Sequence, residues 1–264
     1  MLTVAGVDIG AATAKAVVLD SSRILSSAIM PTGHLVAQAG ESIIRKALEK
    51  VGLSFNDLKY IISTGYGRRA VSFANNAVTE IICHAKGVSL VLPQAKTIID
   101  IGGQDSKVIS LDGNGNVINF VMNDKCAAGT GRFLEVIAGV LEIDINEIGS
   151  ISLLSKEPCQ IGSTCTVFAE SEMVSLRAEG KLREDIIAGM HKAMTHRIAI
   201  MGRSVGFRKE VVLTGGVAKN AGIRRAMEEE IGLQILIPEE PQIIGALGAA
   251  ILAKTELEEL LKEG

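Results

Sequence analysis

"AGVDIGAATAKAVVLD", residues 5–20, returns as "TIIDIGGQDSKVISLDG", residues 97–113. In each copy a β-branched run ends in Asp-Ile-Gly, turns within a few residues and continues into a second β-branched run that carries a lysine. Asp8 matches Asp100, Gly10 matches Gly102 and Lys15 matches Lys107, all at one offset of 92 residues. A repeat of this length predicts a duplicated supersecondary unit, here a two-lobed α/β fold with a cleft between the lobes. The boundary falls near "LPQAK", residues 92–96, giving a first lobe over 1–93 and a second over 94–264. The last helix, about 243–261, is free to pack back across the first lobe.

Around the repeat the pattern is legible. "TVAGVDI", "KAVVLD" and "RILSSAIM" read as a meander of strands, and "LKYIISTGYG" as a buried strand ending in glycines. The Asp-Gly-Asn-Gly at 112–115 reads as a hairpin turn. Helices are expected at about 39–51, 79–92, 130–142, 166–179, 183–206, 218–230 and 243–261, with one late strand, "EVVLTGG".

The 264 residues, 47% of them hydrophobic, can bury a substantial core, and the formal charge of -3 gives no footprint for nucleic acid or an anionic membrane. The N-terminus "MLTVAGVDIG" lacks the basic and apolar regions of a signal peptide. No apolar run approaches the roughly 18–20 residues of a membrane span. A cytoplasmic protein is expected, with its four cysteines, Cys83, Cys126, Cys159 and Cys165, kept reduced. Any special role for them is then metal binding or thiol chemistry.

Glycine at a strand end permits close approach of an anion to bare backbone N–H groups. Two such turns facing each other would grip a polyphosphate. Asp8 and Asp100, at the strand ends, could hold hydrated Mg2+, which needs only one or two carboxylates, and Lys15 could meet a phosphate oxygen. "VVLTGGVAKN", residues 211–220, is a third strand-to-glycine-to-helix turn suited to adenosine or its phosphates. No Walker sequence occurs, and "GYGRR" and "GTGR" lack a dinucleotide-binding frame. The three segments in this order resemble the superfamily of acetate and sugar kinases, heat-shock cognate ATPases and actin. That likeness implies ATP or ADP contacts from Gly10, Ala11, Ala12, Thr13 and Lys15, from Gly102, Gly103, Gln104 and Gly129, and from Gly215, Gly216 and Lys219. It places Gln104 and Asp105 near the γ-phosphate, joining Asp8 and Asp100 as the catalytic set.

Cys83, in "EIICHAKGV", lies in an apolar helical stripe and reads as core; Cys159, in "SKEPCQIGS", reads as a loop residue. Cys126 in "KCAAGTG" and Cys165 in "GSTCTVFAESE" each stand in a small-residue turn leading into a helix, a setting that favours thiolate ligation. A four-iron cluster needs four thiolates, so two chains could complete one between them. All four cysteines of one chain, or zinc, are competing arrangements.

"DIGGQDSK", "NDKCAAGTGRF", "STCTVFAESE" and "TGGVAKN" together resemble the ATP-dependent activators (component A, or archerases) of 2-hydroxyacyl-CoA dehydratases, a family that includes the ATPase subunits of benzoyl-CoA reductase. The resemblance runs from Gly6 to about Ala253. It implies a homodimer sharing one 4Fe-4S cluster on Cys126 and Cys165 of each subunit. ATP hydrolysis would drive one low-potential electron, supplied by a donor such as ferredoxin or flavodoxin, into an acceptor metalloprotein. That acceptor would be a 2-hydroxyacyl-CoA dehydratase, a benzoyl-CoA reductase-type subunit or a double-cubane cluster protein. The chain departs from the pattern after Gly10, where Ala11 and Ala12 replace the usual hydroxyl residues, so backbone contacts take precedence there. A sugar kinase and a regulatory nucleotide-binding module are the alternatives of other classes.

Overall fold

The computed structural model describes residues 2–21, 23–162 and 165–263. It divides into two units of similar size: Met1–Ala95 with Leu111–Ile118 and Pro238–Gly264, and Lys96–Ser110 with Asn119–Ile237.

In the first unit, β1 (Thr3–Ile9) is buried along its whole length, which requires cover on both faces of its sheet. It pairs antiparallel with β2 (Thr13–Asp20), which pairs with β3 (Arg23–Pro31). On its other side β1 pairs parallel with β4 (Tyr60–Thr64), which carries the short β5 (Asn76–Ala77). The order is β3-β2-β1-β4-β5. α1 (Val36–Glu49) lays Ile43, Ile44, Ala47 and Leu48 onto Val7, Ile9, Ala16 and Val18. α2 (Glu80–Val91) packs beside a C-terminal helix, Ile244–Glu263, which also lies along β1 and β4.

The second unit repeats this plan. β6 (Thr97–Ile101) pairs antiparallel with β7 (Ser106–Leu111), and β8 (Val117–Asn123) returns through the Asp112–Asn116 turn, whose backbone hydrogen bond is 2.8 Å. Helices α3 (Gly131–Leu141), α4 (Ile148–Ser152), α5 (Thr166–Ala178) and α6 (Arg183–Arg203) follow before β9 (Val211–Thr214) joins β6 in parallel. α7 (Ala221–Ile231), β10 (Ile235–Leu236) and α8 (Ile244–Glu263) complete the chain. The sheet order, β10-β9-β6-β7-β8, is the first sheet's order with equivalent strands in equivalent places.

The helix expected from about residue 218 starts at Ala221 because a one-turn helix, Gly216–Lys219, intervenes and the Asn220 side chain caps the next one, accepting from the Ile223 N–H at 3.0 Å. α4, β5 and β10 have too few residues to show a period and were not anticipated.

Candidate functional site

The repeated Asp and Lys are direct cross-strand partners. Asp8 faces Lys15 in the β1–β2 register, and Asp100 faces Lys107 in the β6–β7 register. In the first unit the Lys15 ammonium lies 3.1 Å from Asp8 Oδ2. The Gly10 N–H donates to the Thr13 carbonyl (3.0 Å), leaving Ala11 and Ala12 exposed at the tip. Gly65 follows β4 at φ +85°, and a Cβ there would lie 2.4 Å from Asp8 Oδ1. Gly245 of α8 brings His84 Nε2 and Asp8 Oδ2 toward one point, 3.1 and 3.2 Å from where its Cβ would stand.

The second unit adds charge to the same frame. Lys107 is 1% exposed and lies 3.2 Å from Asp100 Oδ2 and 2.8 Å from Asp105 Oδ2. The Thr214 hydroxyl donates to Asp100 Oδ1 at 2.8 Å. Gly215, again at φ +85°, passes so close to Ile101 that a Cβ would stand 2.2 Å from its carbonyl oxygen. Gly102 donates to the Asp105 carbonyl (2.9 Å), and Gln104 is the exposed tip. The two glycine N–H groups expected to be bare, those of Gly10 and Gly102, therefore close their own turns.

Thr64-Gly65 and Thr214-Gly215 occupy equivalent places: Thr64 stands beside Asp8 in the β1–β4 register, and Thr214 beside Asp100 in the β6–β9 register. This second layer of the repeat was missed, although a buried run ending in Thr-Gly is written twice in the sequence.

After Gly215 come exposed Gly216 and Lys219. Farther along α7, a cavity of about 210 Å³ is lined by Gly222 and Arg225 with Ser152, Lys156, His191 and Lys192. His191 is 1% exposed, and burial pushes its pKa down to about 3. Asp185 anchors the segment that carries two of the lining residues, accepting from the Ser155 hydroxyl (2.7 Å) and from the Lys156 and Glu157 N–H groups. The Ser155 hydrogen bond holds its carboxyl below the usual range.

Half-buried Cys126 precedes a one-turn helix, Ala127–Gly129, and Thr130 then caps α3. Asn123, unremarked in the sequence, brackets this cysteine: its Nδ2 donates to the Cys126 carbonyl (2.7 Å) and its Oδ1 accepts from the Cys126 N–H (3.1 Å). Buried Gly129 stands behind, where a Cβ would lie 3.4 Å from Asn123 Nδ2 and Ser106 Oγ. The first N–H groups of α3 then dock on the Gly102–Asp105 turn, Gly131 on the Gly102 carbonyl (2.8 Å) and Arg132 on the Gly103 carbonyl (2.9 Å). Cys165 is exposed at the N-cap of α5. Ser163 and Thr164 of its motif lie outside the described residues. Ala169 and Met173 of α5 share a core with Phe133, Leu134 and Ile137 of α3. Arg177, near the end of α5, donates to the Val140 carbonyl near the end of α3.

The other two thiols are differently placed. Cys83 has no exposure and sits in the first unit, where burial pushes its pKa up to about 12. Cys159 is in a loop against α6, its N–H donating to the Asp185 carbonyl (2.9 Å), and burial also raises its thiol pKa. Among the described residues no three His, Cys, Asp or Glu side chains converge on a metal-sized site. Cys83 belongs to the first unit and Cys126, Cys159 and Cys165 to the second. Cys126 and Cys165 suit a thiolate-bound cluster as half of a set of four. Asp100 and Asp105, two buried carboxylates around one lysine, suit a hydrated divalent cation.

Two sheets of one topology, each carrying the Asp–Lys pair and the Thr-Gly turn, give the protein the duplicated actin-like fold, which a ROK family glucokinase of Streptomyces griseus shares at a TM-score of 0.61 and 14% identity. Comparison with known sequences narrows this: the chain belongs to the BadF/BadG/BcrA/BcrD ATPase family, whose model matches residues 5–253. It is 47% identical over 260 residues to the 2-hydroxyisocaproyl-CoA dehydratase activator of Clostridioides difficile, covering 98% of this chain and 97% of that one. It is 42% identical over 250 residues to the (R)-2-hydroxyglutaryl-CoA dehydratase activating ATPase of Acidaminococcus fermentans, covering 94% and 95%. The solved structure of a Clostridium difficile 2-hydroxyisocaproyl-CoA dehydratase activator with bound ADPNP superposes at a TM-score of 0.95 with 45% identity, covering 100% of this chain and 98% of that one. No helix among the described residues is long and apolar enough to cross a membrane.

Proposed function

We propose that this protein is an ATP-dependent reductive activator: a homodimer that couples ATP hydrolysis in each subunit to the transfer of one low-potential electron from a ferredoxin or flavodoxin to a 2-hydroxyacyl-CoA dehydratase. A 4Fe-4S cluster, when bound by Cys126 and Cys165 of two subunits, supplies the one-electron carrier. The relatives named as dehydratase activators, matched end to end, support the choice of acceptor.

The observation that carries the coupling is the docking of α3 on the second phosphate turn. Gly102 and Gly103 accept the first N–H groups of α3, and Cys126 leads into that same helix through the Asn123 bracket. A nucleotide that shifts the 102–105 turn shifts the start of α3 with it. α5 shares the α3 core and the Arg177 tie, so Cys165 follows Cys126. Nucleotide can move this pair only by as much as it prefers one arrangement over the other.

For hydrolysis, Asp100 and Asp105 of the second unit would hold Mg2+, which would neutralise phosphate charge, and Gln104 would orient the attacking water; in the first unit Asp8 is the equivalent carboxylate, and Lys15 and the exposed backbone of residues 11–13 would meet phosphate. The adenosine takes the Gly215–Lys219 turn, where Gly216 and Lys219 are exposed.

The test is anaerobic purification with iron and sulfide analysis, then electron paramagnetic resonance of the dithionite-reduced protein with and without MgATP. About four irons per two chains and a nucleotide-sensitive spectrum are expected. An iron-free protein that still hydrolyses ATP would remove the electron-transfer part of the proposal.

A further inference from the structure

The two Asp–Lys pairs, equivalent by repeat and by register, differ in what surrounds the lysine. At the 92-residue offset Thr13 of the first turn is replaced by Asp105 in the second. Lys15 has one carboxylate, Asp8, at 3.1 Å, and its side chain keeps 14% of its surface exposed. Lys107 lies within 3.2 Å of Asp100 and 2.8 Å of Asp105, and keeps 1%. An ammonium sealed between two carboxylates has its charge already matched. One that reaches solvent beside a single carboxylate can still accept an anion.

We infer that the duplicated lysines have divided their labour: Lys15 is the phosphate-contacting lysine, whereas Lys107 is a positioning residue that fixes Asp100 and Asp105 and never touches nucleotide. This rests on the nucleotide reading above. With Thr214 on Oδ1 and Lys107 on Oδ2, the Asp100 carboxylate is held at both oxygens. Asp105 is folded under its own turn, with Oδ1 2.4 Å from where a Cβ on Gly102 would lie. Removing Lys107 alone leaves two like charges buried beside each other, which repel an incoming phosphate as well as one another. Removing the Asp105 charge at the same time restores the balance.

The experiment is calorimetric titration of the full-length protein with ADP, with and without Mg2+, on wild type, Lys15→Met, Lys107→Met and the double variant Lys107→Met/Asp105→Asn. Lys15→Met is expected to weaken Mg2+-free ADP binding at least about tenfold, the loss of a charge-assisted contact. Lys107→Met also weakens it, and the double variant recovers to within about twofold of wild type. The strengthening of ADP binding by Mg2+ does not recover, because the second carboxylate is gone and the first is held on one side only. A double variant as weak as Lys15→Met, or one that retains the full Mg2+ effect, overturns the division. Should Lys107→Met fail to fold, as a thermal melt would reveal, the double variant against wild type decides alone. Wild type that binds no ADP removes the nucleotide reading and this inference together, whereas wild-type binding with an unrecovered double variant removes only this one.

Discussion

His191 is a neutral imidazole sealed among α4, α6 and α7, and its pH behaviour follows from that burial. Its Nε2 is 3.5 Å from the Asn220 amide, its Nδ1 is buried, and a Cβ on Gly222 would stand 2.7 Å from that nitrogen. Loss of solvent on burial is what disfavours the charged ring. In the unfolded chain the ring takes a proton near pH 6.5, but in the native protein only near 3. Between those values the unfolded state binds more protons, so stability falls as pH is lowered, by up to about 1.4 kcal/mol per unit. Melting temperatures from pH 7.5 to 4.5 should therefore drop in wild type. They should drop less steeply in His191→Asn, even if that variant starts lower through its smaller side chain. Equal slopes in the two proteins would show that His191 does not set the acid limit. His191 drew no attention in the sequence because a lone histidine in a helical pattern carries no spacing signal. Asn123 was missed for a related reason, since its two hydrogen bonds to Cys126 are a property of the turn and not of residue type.

Elements were more legible than residues because periodicity integrates over many positions. α1, with Ile43, Ile44, Ala47 and Leu48 on one face, and the fully buried β1 follow directly from pattern. What pattern does not convey is how closely two backbones approach. α2 and α8 touch through glycine: a Cβ on Gly248 would stand 1.7 Å from the Cys83 carbonyl oxygen, and one on Gly87 would stand 2.2 Å from the Ile244 carbonyl oxygen. β1 meets the same helix at Gly6, where a Cβ would lie 2.0 Å from the Ala246 carbonyl oxygen. Gly248→Ala must separate α2 from α8 and is expected to destabilise by about 3 kcal/mol or more, read from chemical denaturation. The contrast is Gly139 in α3, where a Cβ would meet nothing within 4 Å. Gly139→Ala should stabilise by about 0.5–1 kcal/mol, since only the helix propensity changes. Similar effects at the two positions would mean that α8 yields to a methyl group and that the glycines are not what sets its place against α2.

At the scale of the whole molecule, the chain writes its duplication twice, in the Asp-Lys turns and again in the Thr-Gly turns, and both resolve into matching positions of two sheets. Under the proposed function, the acceptor's identity is absent from the sequence for a physical reason: the groups that bind the final substrate would belong to another protein. The cysteines are intermediate, because each thiol is local but the proposed four-thiolate set would be a property of two chains. That division makes the two activities separable. Cys126→Ser and Cys165→Ser change thiols at the starts of helices and leave the ion pairs of the buried Asp100–Lys107–Asp105 cluster intact. Both should lose iron and colour while binding MgADP with an affinity within about twofold of wild type. Asp8→Asn and Asp100→Asn remove a carboxylate paired with a lysine and should keep about four irons per dimer while losing at least about tenfold in Mg2+-supported nucleotide affinity. Iron content and calorimetric affinity measured on all four variants form a complete cross. Colour retained in either cysteine variant would assign the cluster to other ligands. Nucleotide affinity lost in both cysteine variants would mean that the cysteine segments hold the phosphate turn in place, instead of responding to it through the Gly131 and Arg132 hydrogen bonds.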